Sequence, residues 1–204
     1  MKCRMDRKVI VVRKSGNKRW RLSVNRDGEA VLSAPPSMSQ EAIARTLEAH
    51  KHWIVTRSAR RLASIEKARA IYAAHKGQIP LFGEWIAKPD APIGFYRGEA
   101  RVFFGEECAF FAATIGVRFV RIRIGDQKSR YGSCSAKGTL SFCARIVKAP
   151  RFVAKYIAAH EVSHLAYMNH KDRFWSCVAS LAPDYLEAEK WLKENGDFLR
   201  LDPC

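Results

Sequence analysis

The chain of 204 residues lacks features that define several large classes of protein. Its longest uncharged apolar runs, such as Cys108–Val117, are shorter than the roughly 18–20 residues of a bilayer span, which excludes a transmembrane helix. Residues 1–13 carry charges but no apolar stretch of a secretory signal. Internal repeats and low-complexity segments are absent as well. With 48% hydrophobic and 27% charged residues, the chain is expected to be a globular cytoplasmic protein that does not use a membrane.

The cysteines do not indicate a disulfide framework. The six of them are scattered and form no C-x-x-C pair, so we expect reduced thiols. A chain of this length buries roughly 70% of the surface that it exposes when unfolded, and it needs neither disulfides nor a metal to hold its core. Any bound metal is therefore expected to serve the function.

The positive charge is unevenly distributed. The net charge is +16, with 17 basic and 6 acidic side chains in residues 1–75 and 9 and 3 in residues 101–150, whereas residues 151–204 are nearly neutral. This excess suggests an anionic partner such as nucleic acid, a nucleotide or an acidic surface. A solvated basic surface without a partner would give the same composition.

Hydrophobic spacing predicts a β-rich N-terminal portion followed by a long helix. Short runs of Val, Ile and Leu between turn residues predict a β-meander over Lys8–Arg13, Trp20–Val24 and Glu29–Ser33. Ser37 and Gln40 form a capping box, from which a basic helix is expected to run to about Ala74. Leu81–Ala87 then predicts a hairpin or two short strands around Gly83-Glu84.

The C-terminal portion combines strand and helix patterns. Glu99–Ile115 suits a helix stopped by Gly116, although its aromatic residues also fit a strand. Alternating apolar residues predict strands over Arg118–Ile124 and Leu140–Ile146, joined by a Gly/Ser-rich loop. A helix is expected from Pro150, and one or two more over residues 175–181 and 186–192, divided by Ala182-Pro183. We expect regions 1–98 and 99–204 to form one compact unit of the α+β class.

The helix that begins at Pro150 contains an H-E-x-x-H pattern, His160-Glu161-Val162-Ser163-His164. Residues four apart lie one turn above each other on a helix, so both imidazoles can bind one zinc ion. Glu161 lies about 100° round the helix, where it can reach a water on that metal. The pattern predicts two metal ligands and a catalytic carboxylate.

His170 is the candidate for a third ligand, because a catalytic zinc usually has three protein ligands and one open position. It follows His164 by six residues, the interval of the H-E-x-x-H-x-x-G-x-x-H pattern. An unbroken helix would turn it about 240° away, so the helix must end first. Asn169 suits the left-handed conformation of such an end, and Tyr167 in the glycine position implies a later turn. The alternative third ligands are Asp172 and Glu187.

Several further motifs resemble the YgjP-like metallopeptidase family, which belongs with the SprT-like and minimal gluzincin-type zincins. They are Gln127–Ser135 (QKSRYGSCS), Ala149-Pro150, the H-E-x-x-H pattern, Asn169-His170 and Phe174-Trp175. The resemblance covers most of the chain and is densest from about Val120 to Phe198. It implies a zincin-like metallopeptidase domain with an N-terminal β-rich portion and a long helix. It also implies zinc, or another divalent transition metal, bound by His160, His164 and His170, with Glu161 as general base.

The sequence departs from the family pattern at a few places. Tyr131 replaces the usual Trp before Gly-Ser-Cys-Ser, and Ala144 stands where a Trp is common. The segment between Pro92 and Arg118 is shorter than the long helix normally found there. The metal ligands are unaffected, whereas the last two departures concern the shape of the substrate cleft.

The loop at Arg130–Ser135 is expected beside the zinc. The substrate-binding candidates are Arg130 and Tyr131 in this loop and Arg145 in the predicted strand that follows. A guanidinium can pair with a carboxylate or phosphate through two hydrogen bonds. A Gly/Ser turn whose hydroxyls cap backbone groups is the structural alternative. Cys134 is not favoured as a nucleophile or as a metal ligand. Three aromatic residues are expected in the core behind the H-E-x-x-H helix, namely Phe174, Trp175 and Trp191.

These observations predict a zinc-dependent hydrolase, first of all a metallopeptidase that uses metal-activated water with Glu161 as general base. A peptide substrate is expected to align along the Leu140–Ile146 strand. A metal-dependent nucleoside triphosphate pyrophosphohydrolase is the alternative, because arginines suit a polyphosphate and YgjP-like proteins have been associated with nucleoside triphosphates. The second alternative is a DNA-associated SprT-like protease that uses the basic surface. The sequence leaves open whether the substrate is a polypeptide or a nucleotide, and which oligomer forms.

Overall fold

The computed structural model describes residues 9–13, 16, 18–127 and 129–201. Within these residues the chain is a mixed α+β protein, as predicted, with small sheets and six α-helices. It divides into two compact units, which meet in sequence between Lys67 and Ala68. The predicted boundary between residues 98 and 99 stays a prediction. None of the helices in the described part is long and apolar enough to cross a membrane.

The N-terminal unit contains a three-stranded sheet. Its strands are β1 (Ile10–Arg13), β2 (Arg21–Val24) and β3 (Ala30–Ala34). The predicted meander is wrong, because β3 lies between the other two and pairs parallel with β1 and antiparallel with β2. The central strand, β3, is also the strand in which Ala30, Leu32 and Ala34 are all buried. Lys8, the first residue of the predicted strand, lies outside the described residues.

Two helices replace the single long helix that was predicted. They are α1 (Gln40–Ala49) and α2 (Lys51–Ala74), separated at His50. The capping box at Ser37 is also wrong, because Ser39 is the N-cap and its hydroxyl accepts a hydrogen bond from the Ala42 N–H at 3.2 Å. His50 ends α1 with its backbone N–H directed at the Thr46 carbonyl.

The C-terminal unit starts within α2 and contains the hairpin that the sequence predicts. Its strands are β4 (Gln78–Leu81) and β5 (Glu84–Ala87), which pair antiparallel. Phe82 and Gly83 both have positive φ, +49° and +92°, as a tight two-residue hairpin turn requires. The ambiguous segment that follows is helix α3 (Pro92–Thr114), which starts with proline and ends before Gly116 at φ +70°.

A second three-stranded sheet precedes the helix that carries the H-E-x-x-H residues and packs against it. Its strands are β6 (Arg121–Gly125), β7 (Gly132–Cys134) and β8 (Thr139–Cys143). β8 is central, parallel to β6 and antiparallel to β7. The predicted loop therefore contains a strand. The predicted strand to Ile146 is wrong beyond Cys143, because Ala144–Lys148 is a 3₁₀ helix. Nearly all residues of this helix are buried, so the alternation of apolar residues in the sequence does not reflect one buried and one exposed face.

Three helices complete the C-terminal unit, as predicted. They are α4 (Arg151–Ala166), α5 (Asp172–Leu181) and α6 (Tyr185–Arg200). Helix α4 packs against α3, α5, α6 and β7 and is buried along most of its length. In the core beside it, the rings of Phe104 and Phe142 stack at 3.8 Å. This burial fixes α4, and with it the H-E-x-x-H residues.

Candidate metal centre

Helix α4 and the connection after it bring the three predicted metal ligands together. His160 and His164 lie one turn apart on α4, and His170 returns to them from the α4–α5 connection. One potential ligand atom from each side chain lies within 4.8 Å of the others. Asp172 and Glu187, the alternative third ligands, are not part of this cluster.

The end of α4 differs from the sequence-based prediction. The helix ends at Ala166, and Tyr167 takes an extended conformation with φ −135° and ψ 101°. The predicted left-handed conformation of Asn169 is wrong. Among the residues that the structure describes, Phe82 is the single non-glycine residue with a positive φ. Tyr167 ends the helix in an extended conformation that needs no glycine, and bends at Met168 and Asn169 then lead the chain to His170.

The spacing of the histidines fits a tetrahedral metal ion. The Nε2 atoms of His160 and His170 are 3.2 Å apart. Two nitrogens bound to one tetrahedral zinc at roughly 2.0–2.1 Å would be about 3.3 Å apart. The ring centroids are 5.0 Å apart for His160–His164 and 4.7 Å for His164–His170, so the third imidazole shares the same centre. The three imidazoles therefore form a donor set that fits a metal ion.

The surroundings of the histidines keep two of them neutral. Burial, with His164 and His170 nearby, lowers the pKa of His160 to about 4. Burial also lowers the pKa of His164. Nδ1 of His164 donates to the Tyr167 carbonyl at 3.1 Å, because a carbonyl can only accept, and this leaves its Nε2 lone pair for a ligand. Neutral imidazoles are the form that binds a metal.

One aromatic side chain, that of Phe174, packs against the imidazoles of all three histidines. Phe174 is fully buried, and its ring centroid lies 4.9 Å from that of His160 and 4.6 Å from those of His164 and His170. Trp175 is half-buried beside it, 6.0 Å from His160. An apolar layer of this kind restricts ring rotation and excludes water from one side of the site.

Glu161 is a buried carboxylate beside the histidines. Its exposed fraction is 6%, and burial raises its pKa to about 7, against the opposing effects of the Arg130 charge and the Cys134 backbone N–H. Strand β7 lies directly over it, since a Cβ built at Gly132 would be 2.5 Å from Glu161 Oε1. A group with this pKa can both accept and release a proton near neutral pH.

A cleft of about 440 Å³ opens beside His160 and Glu161. Its walls come from β7, α4 and α6, and the remaining lining residues are Tyr131, Gly132, Tyr156, Ile157, Glu189, Leu192 and Lys193. Tyr131 thus lies where the sequence suggested, and Arg130 is exposed but near enough to act on the pKa of Glu161. The polar lining residues that were not anticipated are Tyr156, Glu189 and Lys193.

Arg145 is engaged at a different place. Its Nη2 donates to Asp126 Oδ2 at 3.0 Å, its Nε donates to Oδ1 of the same carboxylate, and its Nη1 donates to the Arg200 carbonyl at 3.2 Å. Arg145 does not line the cleft. Cys134 lies in β7, where its thiol donates to the Ser135 carbonyl at 3.5 Å, and it does not belong to the metal-ligand cluster.

Tyr156 lies four residues before His160 on α4. This spacing is a sequence signal that both side chains lie on the same face of the helix. Its hydroxyl donates to Glu189 Oε1 at 3.0 Å and lies 3.4 Å from Nδ1 of His160. Burial and the nearby Glu189 raise the pKa of this phenol, so it keeps its proton. Glu189 comes from α6 and carries no local sequence signal.

A helix that carries two histidines and a buried glutamate, with a third histidine folded back onto it, is the metal-binding arrangement of metallohydrolases with an H-E-x-x-H helix. Comparison with known families identifies the group. A model of the YgjP-like metallopeptidase domain matches residues 18–89 and 87–195, and the chain belongs to the YgjP-like family. The resemblance inferred from the motifs is confirmed.

Solved structures and curated proteins give two further comparisons. The crystal structure of the metallopeptidase zymogen of Pyrococcus abyssi abylysin is similar to this chain at 21% identity and a TM-score of 0.40, over 44% of this chain and 92% of that one. None of the curated proteins matches.

Proposed function

We propose that this protein is a zinc-dependent hydrolase that cleaves polypeptides with Glu161 as general base. The observation that carries the proposal is the 3.2 Å separation of the facing His160 and His170 nitrogens, next to a buried carboxylate whose pKa is about 7. Membership of the YgjP-like metallopeptidase family supports it.

His160, His164 and His170 are the residues that would hold the metal. Three imidazoles favour zinc or another transition metal, because magnesium prefers oxygen ligands. A zinc ion held there would lower the pKa of a water ligand to about 7 and polarise the carbonyl of the scissile bond. Three protein ligands leave a coordination position for this purpose.

Glu161 would move the proton. Its carboxylate takes a proton from the attacking water and later delivers it to the leaving nitrogen. The Cys134 N–H and the Arg130 charge favour the ionised form, while burial favours the protonated form, and the resulting pKa of about 7 suits both halves of this cycle. Gly132 allows the carboxylate to lie directly under β7.

The substrate would bind along β7. The predicted alignment on the Leu140–Ile146 strand is wrong, because β8 is paired on both sides and has no edge to offer. β7 is an edge strand, and the hydrogen bond from its Cys134 N–H to Glu161 directs this edge toward the general base. An extended peptide added there would place its backbone beside the metal ligands.

The charges of the cleft favour a polypeptide over a nucleoside triphosphate. Glu161 and Glu189 line it together with a single basic residue, Lys193. Two carboxylates would repel a polyphosphate unless the metal neutralised them. The DNA-associated alternative rests on the +16 net charge, which would act outside this cleft and would appear as DNA binding that weakens steeply with salt.

The test is a substrate screen of zinc-loaded protein, with wild type and Glu161→Gln measured side by side. The panel contains an unstructured fluorogenic polypeptide, the same polypeptide in the presence of DNA, and the four nucleoside triphosphates. We expect the wild type to cleave the polypeptide and Glu161→Gln to bind zinc but lose at least about 100-fold in kcat. Full activity of Glu161→Gln, or hydrolysis of triphosphates alone, would overturn the proposal.

A further inference from the structure

We infer that Tyr156 and Glu189 act as a positioning pair that fixes the tautomer of His160 and thereby sets the affinity for the metal. The inference rests on the proposed metal site, because it concerns which nitrogen of His160 is offered to the ion. Both residues lie outside the H-E-x-x-H pattern, one on α4 and one on α6.

Three side chains form a chain of hydrogen bonds that leads away from the metal site. Nδ1 of His160 lies 3.4 Å from the Tyr156 hydroxyl, which donates to Glu189 Oε1 at 3.0 Å. Tyr156 is 4% exposed, so water does not compete freely for its hydroxyl. At the other side of the imidazole, Nε2 of His160 faces His170.

The protons along this chain can be assigned from the chemistry of the groups. A carboxylate only accepts, so the single hydroxyl proton of Tyr156 goes to Glu189. The hydroxyl oxygen then has only lone pairs for His160, and Nδ1 of His160 must be the donor. The neutral imidazole has one proton, so its Nε2 carries a lone pair directed at the ligand cluster.

A comparison with His164 shows why this pair matters. His164 is fixed in the same tautomer by a backbone carbonyl, that of Tyr167, which no substitution removes. Nδ1 of His160 faces the Tyr156 hydroxyl instead of a carbonyl, so the tautomer of His160 relies on two side chains from different helices. Outer hydrogen-bond partners of metal-binding histidines typically contribute 10–100-fold to metal affinity.

Glu189 also lines the cleft, where it is exposed next to Lys193. The end of the hydrogen-bond chain that is remote from the metal is therefore accessible from the cleft. The charge of Glu189 is what holds the Tyr156 proton in place. Its neutral amide counterpart can either accept from the hydroxyl or donate to it, so it no longer imposes a direction.

The experiment compares wild type, Tyr156→Phe, Glu189→Gln and Glu194→Gln. Glu194 is an exposed carboxylate on the same helix that does not line the cleft, and it is the matched control. The His160 tautomer is read in chelator-treated protein by long-range proton–nitrogen NMR of the imidazole. Zinc affinity is measured by competition with a chromophoric chelator. Thermal unfolding of the same samples separates a loss of fold from a loss of orientation.

In the wild type and Glu194→Gln, we expect His160 with its proton on Nδ1. Tyr156→Phe keeps the ring but removes the hydroxyl, so His160 should become a mixture of tautomers and the zinc Kd should rise 10–100-fold. Glu189→Gln should give a smaller change in the same direction. A purely structural role would lower the unfolding temperature and leave the tautomer unchanged.

Two results would overturn the inference. One is a His160 with its proton on Nε2 in the wild type, and the other is an unchanged tautomer and zinc Kd in Tyr156→Phe. Failure of the proposed function gives a different result, because wild-type protein would then either bind no zinc or bind zinc without cleaving the polypeptide, whatever the tautomer of His160.

Discussion

The backbone of Gly132 and the carboxylate of Glu161 are so close that a side chain at position 132 would displace the carboxylate. A Cβ there would lie 2.5 Å from Oε1 and 2.9 Å from Cδ of Glu161. Position 132 lies in an edge strand and position 161 in the metal helix, so this contact joins the two elements that the proposed reaction needs.

Gly132→Ala should therefore separate metal binding from catalysis. The added methyl group pushes Glu161 out of position, and a displacement of about 1 Å can reduce kcat about 100-fold. Zinc content should stay at the wild-type value, because the three atoms nearest to a Cβ at position 132 all belong to Glu161 and none to a histidine. Steady-state kinetics and metal analysis of the same preparation provide the measurement. Gly98→Ala is the control, since a Cβ at Gly98 meets nothing within 4 Å, and equal losses of zinc and activity in Gly132→Ala would contradict this account.

Glu161→Gln should make the metal-free protein more stable at alkaline pH. Burial raises the Glu161 pKa from 4.5 to about 7, so the unfolded state loses its proton first as the pH rises. Stability is consequently lost between pH 4.5 and about 7, and the full cost, about 3 kcal/mol, is present above that range. Glutamine does not titrate and avoids this cost.

The measurement is thermal unfolding of chelator-treated wild type and Glu161→Gln at pH 5 and pH 8. The stability gain of Glu161→Gln over wild type should be small at pH 5 and several degrees at pH 8. His160 also titrates, but it does so in both proteins and cancels in the difference. Glu194→Gln, whose carboxylate is exposed, should show no such change between the two pH values. A gain that is independent of pH would refute the raised pKa.

Arg145→Gln should reduce stability more than substrate binding. Arg145 pairs with Asp126 through two hydrogen bonds and also donates to the Arg200 carbonyl, and the two paired side chains are only 14% and 25% exposed. Loss of the guanidinium removes its charge and its two hydrogen bonds from the half-buried Asp126 carboxylate, at a cost of about 2 kcal/mol. Denaturant unfolding and KM are the measurements, with the exposed Arg101→Gln as control. A large rise in KM at unchanged stability would favour the substrate-binding role that the sequence suggested.

The local features of this protein could be predicted from its sequence. The helices α4 to α6 and the hairpin at Gly83 follow from periodicity and turn residues, which act over a few positions. The H-E-x-x-H ligands follow for the same reason, because the spacing of four residues alone puts two imidazoles on one face. These predictions needed no knowledge of which elements pack together.

Features that depend on non-local pairing could not be predicted. β1 pairs with β3 and skips β2, and no residue in the three runs specifies that choice. β7 is three residues of Gly, Ser and Cys, too short and too polar to indicate a strand, and it becomes one by pairing with β8. Glu189 joins Tyr156 only because α6 packs against α4.

The central claim is that His160, His164 and His170 share one ion, and zinc X-ray absorption spectroscopy of protein purified without chelators or a metal-binding tag tests it most directly. We expect one zinc per chain with three imidazole nitrogens at about 2.0–2.1 Å, and loss of stoichiometric zinc in His170→Ala. Sulfur in the coordination shell, or full zinc occupancy in His170→Ala, would contradict the account.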